Sequence, residues 1–196
     1  MSRENLTSSS RYLKALEVVL ALHQNQYRKG TDIPYATHLM SVSALVIEAG
    51  GDEDEAIAAL FHDAVEDQGG EVTHSMIRDE FGDNVADIVM GCTDSIEEVG
   101  AEKAPWAERK TQYLDHLKTA SRSIRLVSNA DKLHNARSIL TDYYLIGHEI
   151  WSRFSQPKEK TLWYYRSLAD EFNRNPSSLR LSKELDKVVS ELEACA

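Results

Sequence analysis

The chain has 196 residues, 42% hydrophobic and 28% charged, with 4 Pro and 9 Gly; that balance fits one globular domain and excludes long disorder. A chain of this size buries roughly 70% of its unfolded surface, so its fold needs no disulfide or metal staple, and a metal would be there for chemistry. The net charge of −10, from 22 Lys and Arg against 32 Asp and Glu, argues against nucleic-acid and anionic-membrane partners.

No window resembles a membrane span of about 20 apolar residues, and the first ten residues, MSRENLTSSS, have no signal-peptide core. Cys92 and Cys195 are too few and too far apart for a disulfide framework or a cysteine zinc site, which points to a reducing cytoplasm.

Apolar residues recur at three- and four-residue spacing almost throughout, so the expected fold is all-α, a single bundle of about nine or ten helices over 1–196. Residues 1–9 read as a flexible tail. Leu13, Leu16, Val19, Leu20 and His23 line a first helix, and a second runs from Tyr35 to Ala49 after Pro34. Asp52 caps a third helix, predicted to continue through Ile57, Leu60 and Val65 to Gly69-Gly70. Thr73 is expected to cap a short segment carrying Met76, Ile77 and Phe81, and Asp83 opens another through Cys92. Asp94 to Ala104 is acidic and aperiodic, an expected exposed loop. Helices are then predicted after Pro105, from Ser123 to Tyr144, around Trp151, and from Lys158 to Asn173. A last helix with Leu181, Leu185, Val188, Val189 and Leu192 on one stripe lies within 177–196, packed on the domain.

Four segments carry polar chemistry where a core helix would normally carry Leu or Ala. In Leu60-Phe61-His62-Asp63-Ala64-Val65-Glu66-Asp67 an unbroken helix would gather the imidazole and three carboxylates into an arc of about 140°. In an apolar setting these charges repel one another, and a divalent cation removes the conflict. The bland alternative makes His62 a satisfied core histidine and Glu66-Asp67 a solvated helix end. Asp131, Asn135 and Ser138 form a polar stripe within about 60° on a largely apolar helix; Asp131 there needs a partner, whether an ion or a salt bridge to Arg125 or Lys132. His38 alone would read as a core or capping histidine, and Arg28-Lys29 as a solvated helix end complementing the helix dipole. Trp163-Tyr164-Tyr165 fits a core stripe better than a nucleotide pocket.

Taken together, the ordered set His38, His62-Asp63 and Asp131 resembles the H…HD…D pattern of the HD-domain metal-dependent phosphohydrolases. The flanks Tyr27-Arg28-Lys29-Gly30, Pro34-Tyr35-Ala36-Thr37-His38, Ala58-Ala59-Leu60-Phe61-His62-Asp63-Ala64-Val65-Glu66-Asp67 and Ala130-Asp131-Lys132-Leu133-His134-Asn135 are similar to the hydrolase domain of RelA/SpoT alarmone enzymes. The likeness extends over most of the chain, and its length resembles the stand-alone small alarmone hydrolases.

The resemblance implies that His38, His62, Asp63 and Asp131 hold one divalent ion, usually manganese. It further implies that Glu66 and Asp67 position and deprotonate the attacking water, and that Arg28, Lys29, Asn135 and Ser138 contact an anionic nucleotide, with Lys132 and Arg137 adding positive charge. The implied activity is release of pyrophosphate from the 3′ position of (p)ppGpp-type alarmones. Hydrolysis of (p)ppApp or another 3′- or 2′-phosphorylated nucleotide, or nucleotide binding without turnover, are the alternatives. A homo-oligomer is compatible with this reading. Two departures stand out: Leu39 replaces the family's proline after His38, and Val127-Ser128-Asn129-Ala130-Asp131 replaces its apolar-Lys-Leu-Ala-Asp run.

Overall fold

The computed structural model describes residues 6–93 and 104–195. Among these are ten α-helices, two 3-10 segments and no strand, with one isolated bridge between Tyr27 and Pro34. The segment read as a tail is anchored in part. Leu6–Ser8 form a 3-10 turn whose Leu6 packs on the core, and Ser9 both caps the next helix and hydrogen-bonds Glu53.

Helix α1 spans Ser10–Leu22 and α2 spans Ala36–Glu48. Helix α3, Glu53–Phe61, opens on a reciprocal capping box: Asp52 accepts the Glu55 N–H at 2.9 Å and Glu55 accepts the Asp52 N–H at 3.0 Å. Such a cap contributes about 1 kcal/mol. Every residue of α3 from Glu55 to Phe61 is buried, because the helix lies between α1, α2 and later elements on all sides; an apolar circumference requires that placement.

The single helix predicted through His62 to Val65 is broken in the structure. Asp63 adopts φ −102°, ψ −4°, and α4 restarts for one turn, Ala64–Asp67. The physical reason is visible at the break: His62 Nδ1 donates to the Ala59 carbonyl at 2.8 Å, one of the acceptors that an ending helix leaves without a backbone donor. The unbroken turn from His62 to Glu66 is therefore lost, whereas Asp63, as N-cap of α4, keeps its one-turn relation to Asp67, whose N–H bonds the Asp63 carbonyl at 2.9 Å.

Helix α5, Glu71–Phe81, starts before the expected cap at Thr73, from Gly70; Thr73 Oγ1 instead donates to the Gln68 carbonyl at 2.7 Å. Helix α6 is Asp83–Cys92. Of the expected loop at Asp94 to Ala104, residues 94–103 lie outside the described residues. Helices α7, Trp106–Thr119, and α8, Arg122–Ile146, follow. Around Trp151 the segment Gly147–Arg153 is a 3-10 helix that buries Ile150. Helices α9, Lys158–Arg174, and α10, Leu179–Cys195, complete the chain.

Helix α8 is the axis of the bundle, touching α2, α3, α6, α9, α10 and the 3-10 segment. Leu126, Val127, Ala130, Leu133 and Ala136 on it are fully buried. Its approach to α6 requires Gly91, where a Cβ would come within 2.3 Å of Ile124 Cδ1. Helix α10 closes the bundle over α8 and α9 through Leu181, Leu185, Val189 and Leu192. No described helix is long and apolar enough to cross a membrane.

Candidate metal centre and adjoining cavity

Three parts of the core bring four side chains to one point: His38 on the first turn of α2, His62 and Asp63 at the α3–α4 break, and Asp131 midway along α8. His38, His62 and Asp131 are 0%, 2% and 4% exposed. Their ligand atoms lie within 4.8 Å of one another. His38 Nε2 is 3.3 Å from Asp131 Oδ1 and 3.6 Å from Asp63 Oδ2. His62 Nε2 is 2.9 Å from Asp63 Oδ2 and 3.5 Å from Asp131 Oδ1. Residues separated by almost a hundred positions thus converge, His38, His62 and Asp131 as one mutual group with Asp63 beside both histidines.

The donor set fits a divalent cation. His62 spends its Nδ1 proton on the Ala59 carbonyl, which leaves a lone pair at Nε2. Both buried Nε2 atoms, of His38 and His62, lack a hydrogen-bond partner among the described residues. Buried polar atoms are rarely left so, and two of them facing two carboxylates match a site for a cation. The electrostatics agree. Burial disfavours charge on His62, but Asp63 and Asp131 outweigh it and push the imidazole well above its ordinary range. Burial likewise opposes ionising Asp63, yet His62 and His38 hold it well below the usual carboxylate range; for Asp131, Lys132 and the same histidines do so. A pocket that stabilises positive charge in this way suits a metal ion, whose binding displaces the proton.

Neighbouring groups orient the carboxylates. Tyr35 donates its hydroxyl to Asp63 Oδ2 at 2.6 Å. Lys132 Nζ lies 2.6 Å from Asp131 Oδ2, and Asn135 Nδ2 donates to Asp131 Oδ1 at 2.5 Å. The salt bridge to Lys132 and the approach to the histidines thus coexist, on different oxygens of one carboxylate. Glu66 and Asp67 are exposed on α4. Asp67 Oδ2 accepts from Gln26 Nε2 at 2.7 Å. Crowding of the carboxyl by surrounding protein pushes Asp67 above the ordinary Asp range, with Asp63 adding to the effect and Gln26 opposing it.

Beside the cluster is a cavity of about 710 Å³, walled by the Arg28–Thr37 segment, the His134–Asp142 face of α8, the 3-10 segment and Tyr165. Arg28, Lys29, Arg137 and Arg153 all line it, so a chain of net charge −10 gathers four cations here. Arg28 Nη2 donates to Asn135 Oδ1 at 2.8 Å, which joins the cavity to Asp131 through one amide. Ser138 lines the same wall with its hydroxyl on the His134 carbonyl at 3.0 Å. Arg28, Lys29, Asn135 and Ser138 therefore all border the cavity.

Tyr35, His134 and Arg153 carry no assigned role in the sequence reading, yet each contributes to this region. Tyr35 bonds Asp63, His134 Nδ1 lies 2.8 Å from His38 Nδ1, and Arg153 reaches Asp142 at 2.6 Å. Gly30, at φ +73°, lets the Arg28–Gly30 turn sit against Arg153, whose Cδ would be 3.1 Å from a Cβ there. The available signal was position: Tyr35 and His134 each lie three residues from a proposed ligand. The aromatic run divides, with Trp163 exposed against Trp106, Tyr164 buried, and Tyr165 both buried and on the cavity wall.

A family model described as the HD domain matches residues 15–157. The chain is similar to the guanosine-3′,5′-bis(diphosphate) 3′-pyrophosphohydrolase MESH1 of Danio rerio, 33% identical over 138 residues that cover 69% of this chain and 72% of that one. A solved metazoan SpoT orthologue, described as hydrolysing ppGpp, superposes with a TM-score of 0.74 at 24% identity, over 93% of this chain and 96% of the other; this shows the fold. The crystal structure of lmo0812 from Listeria monocytogenes EGD-e gives a TM-score of 0.68 at 30% identity, over 79% of this chain and 97% of that one. With the family model spanning most of the bundle, α1 to the end of the 3-10 segment and beyond, this chain belongs to the HD-domain family.

Proposed function

We propose that the protein is a metal-dependent 3′-pyrophosphohydrolase of (p)ppGpp-type alarmones. The observation that carries this reading is the pair of unpartnered, buried Nε2 atoms facing two carboxylates beside a four-cation cavity. His38, His62, Asp63 and Asp131 would hold the ion, taken as Mn²⁺; imidazole and carboxylate donors suit it, and the reducing compartment expected for two free cysteines is the cytoplasm. When bound, such an ion supplies Lewis acidity and a water acidified by several pKa units.

The chain's own residues do the rest. Arg28 and Lys29 bind the phosphates, and Asn135 and Ser138 hold the ribose or a phosphate at the α8 wall. Water attacks the phosphorus attached to the ribose 3′ oxygen, and Glu66 or Asp67 takes its proton. The P–O bond to the 3′ oxygen breaks, that oxygen leaves with a proton, and the products are pyrophosphate and a 5′-di- or triphosphate nucleoside. The raised carboxyl pKa makes Asp67 a stronger proton acceptor than an ordinary Asp.

The test is pyrophosphate release from ppGpp and ppApp, each with Mn²⁺ and with chelator. Release from ppGpp that chelator abolishes is the expected result. Preference for ppApp would reassign the base, and alarmone binding with bound Mn²⁺ but no turnover would make this a binding domain.

A further inference from the structure

We infer that His134 is a relay between the metal centre and the nucleotide: its Nδ1 sets the tautomer of His38, and its Nε2 thereby presents a hydrogen-bond donor to an oxygen of the bound nucleotide. The inference rests on the hydrolase reading above and names a contact residue and a positioning residue in one side chain.

His134 lies three residues after Asp131 on α8, and its half-buried ring lines the cavity. The His38 and His134 rings meet at a centroid distance of 4.8 Å and a tilt of 50°, with their Nδ1 atoms 2.8 Å apart. A hydrogen bond between two ring nitrogens needs one proton between them. The opposite nitrogen of His38, Nε2, faces Asp131 at 3.3 Å and Asp63 at 3.6 Å. To offer a lone pair to a cation there, His38 must carry its proton on Nδ1 and donate it to His134. His134 Nδ1 is then the acceptor, so the proton of its neutral ring sits on Nε2.

No described group hydrogen-bonds that Nε2. The four cations around the cavity are long and adaptable, and three of them are already engaged: Arg28 with Asn135, Arg137 with Glu184 and Arg153 with Asp142. An imidazole N–H on a buried helix is a single, directed donor by comparison. Cation binding at one end of the relay therefore dictates which hydrogen-bonding face the substrate meets at the other.

Two substitutions divide the two roles, because the Asn amide stands near the position of Nδ1 and the Gln amide near that of Nε2. His134→Asn keeps an acceptor for His38 and loses the donor. We expect its Zn²⁺ affinity to stay within about twofold of wild type while KM for ppGpp rises about tenfold, the cost of one hydrogen bond to a charged oxygen. His134→Gln keeps the donor and withdraws support from His38; its KM should stay near wild type while Zn²⁺ affinity falls about tenfold or more. Histidine ¹⁵N spectra of the Zn²⁺-loaded wild-type protein read the tautomer without any substitution, and should show His134 protonated at Nε2 and bare at Nδ1.

A proton on His134 Nδ1 in that spectrum, or two variants that lose metal affinity and KM together, would overturn the relay. If wild-type protein shows the expected tautomer yet releases no pyrophosphate, the relay to the metal stands and the hydrolase reading fails. If it turns over ppGpp and the variants do not separate, the relay fails alone.

Discussion

In the cluster of His38, His62, Asp63 and Asp131 the side chains are short, and each is held by a second partner. The Ala59 carbonyl holds His62, His134 holds His38, Tyr35 holds Asp63, and Lys132 and Asn135 hold Asp131. The cavity next to it is lined instead by long cations, of which Lys29 is exposed and Arg137 and Arg153 lean on carboxylates of their own. The first region is built to hold one geometry; the second can rearrange around a ligand. On the proposed reading, the preorganised part would hold the metal and the adaptable part would set the choice of substrate.

The sharpest way to break this division is Asp63→Ala, which removes a carboxylate that both Nε2 atoms face. Metal binding and turnover should both vanish while circular dichroism keeps most of its helicity, since Asp63 lies at a break between helices; retained turnover would contradict the site. Next in size is Glu66→Ala, on the exposed turn of α4. Here bound metal, measured by elemental analysis, should remain while kcat falls by about 10²-fold or more, the usual loss of a general base.

In the cavity the effects should be smaller and of another kind. Arg153→Met removes a cation from the wall but no support of the cluster, so KM should rise about tenfold with little change in kcat or metal content, and the rise should be smaller at high salt. The pH profile gives a finer reading. Asp67 accepts a proton only as its carboxylate, so a raised pKa moves the acid limb of kcat to higher pH. Gln26 opposes that rise, and Gln26→Leu should therefore move the limb further up. Smallest of all, Tyr35→Phe removes the hydrogen bond to Asp63 while keeping the ring; a loss of metal affinity of several-fold, corresponding to about 1 kcal/mol, is expected. If Tyr35→Phe affects KM more than metal affinity, the boundary between the two regions runs on the other side of this residue.

Much of the fold was legible because its signals are local. The apolar spacing of Leu181, Leu185 and Leu192, the cap at Asp52 and the stop at Gly147 each act within a turn or two of helix, and the observed α3, α8 and α10 follow them. The break at His62-Asp63 was not legible. It depends on a side chain taking over an acceptor of the helix end and on Tyr35, 28 positions away, fixing the carboxylate that follows.

The sequence by itself determined that the chain is helical, that polar chemistry interrupts three of its apolar helices, and which side chains resemble a metal-ligand set. Only the tertiary structure decided that these meet. Arg28 reaches Asn135 across 107 positions and His38 reaches His134 across 96, and the tautomers, the orphaned nitrogens and the cationic cavity exist only once those contacts form. Helix periodicity is encoded by neighbours a few residues apart, whereas the orientation of a buried ring is set by whatever the folded chain packs against it.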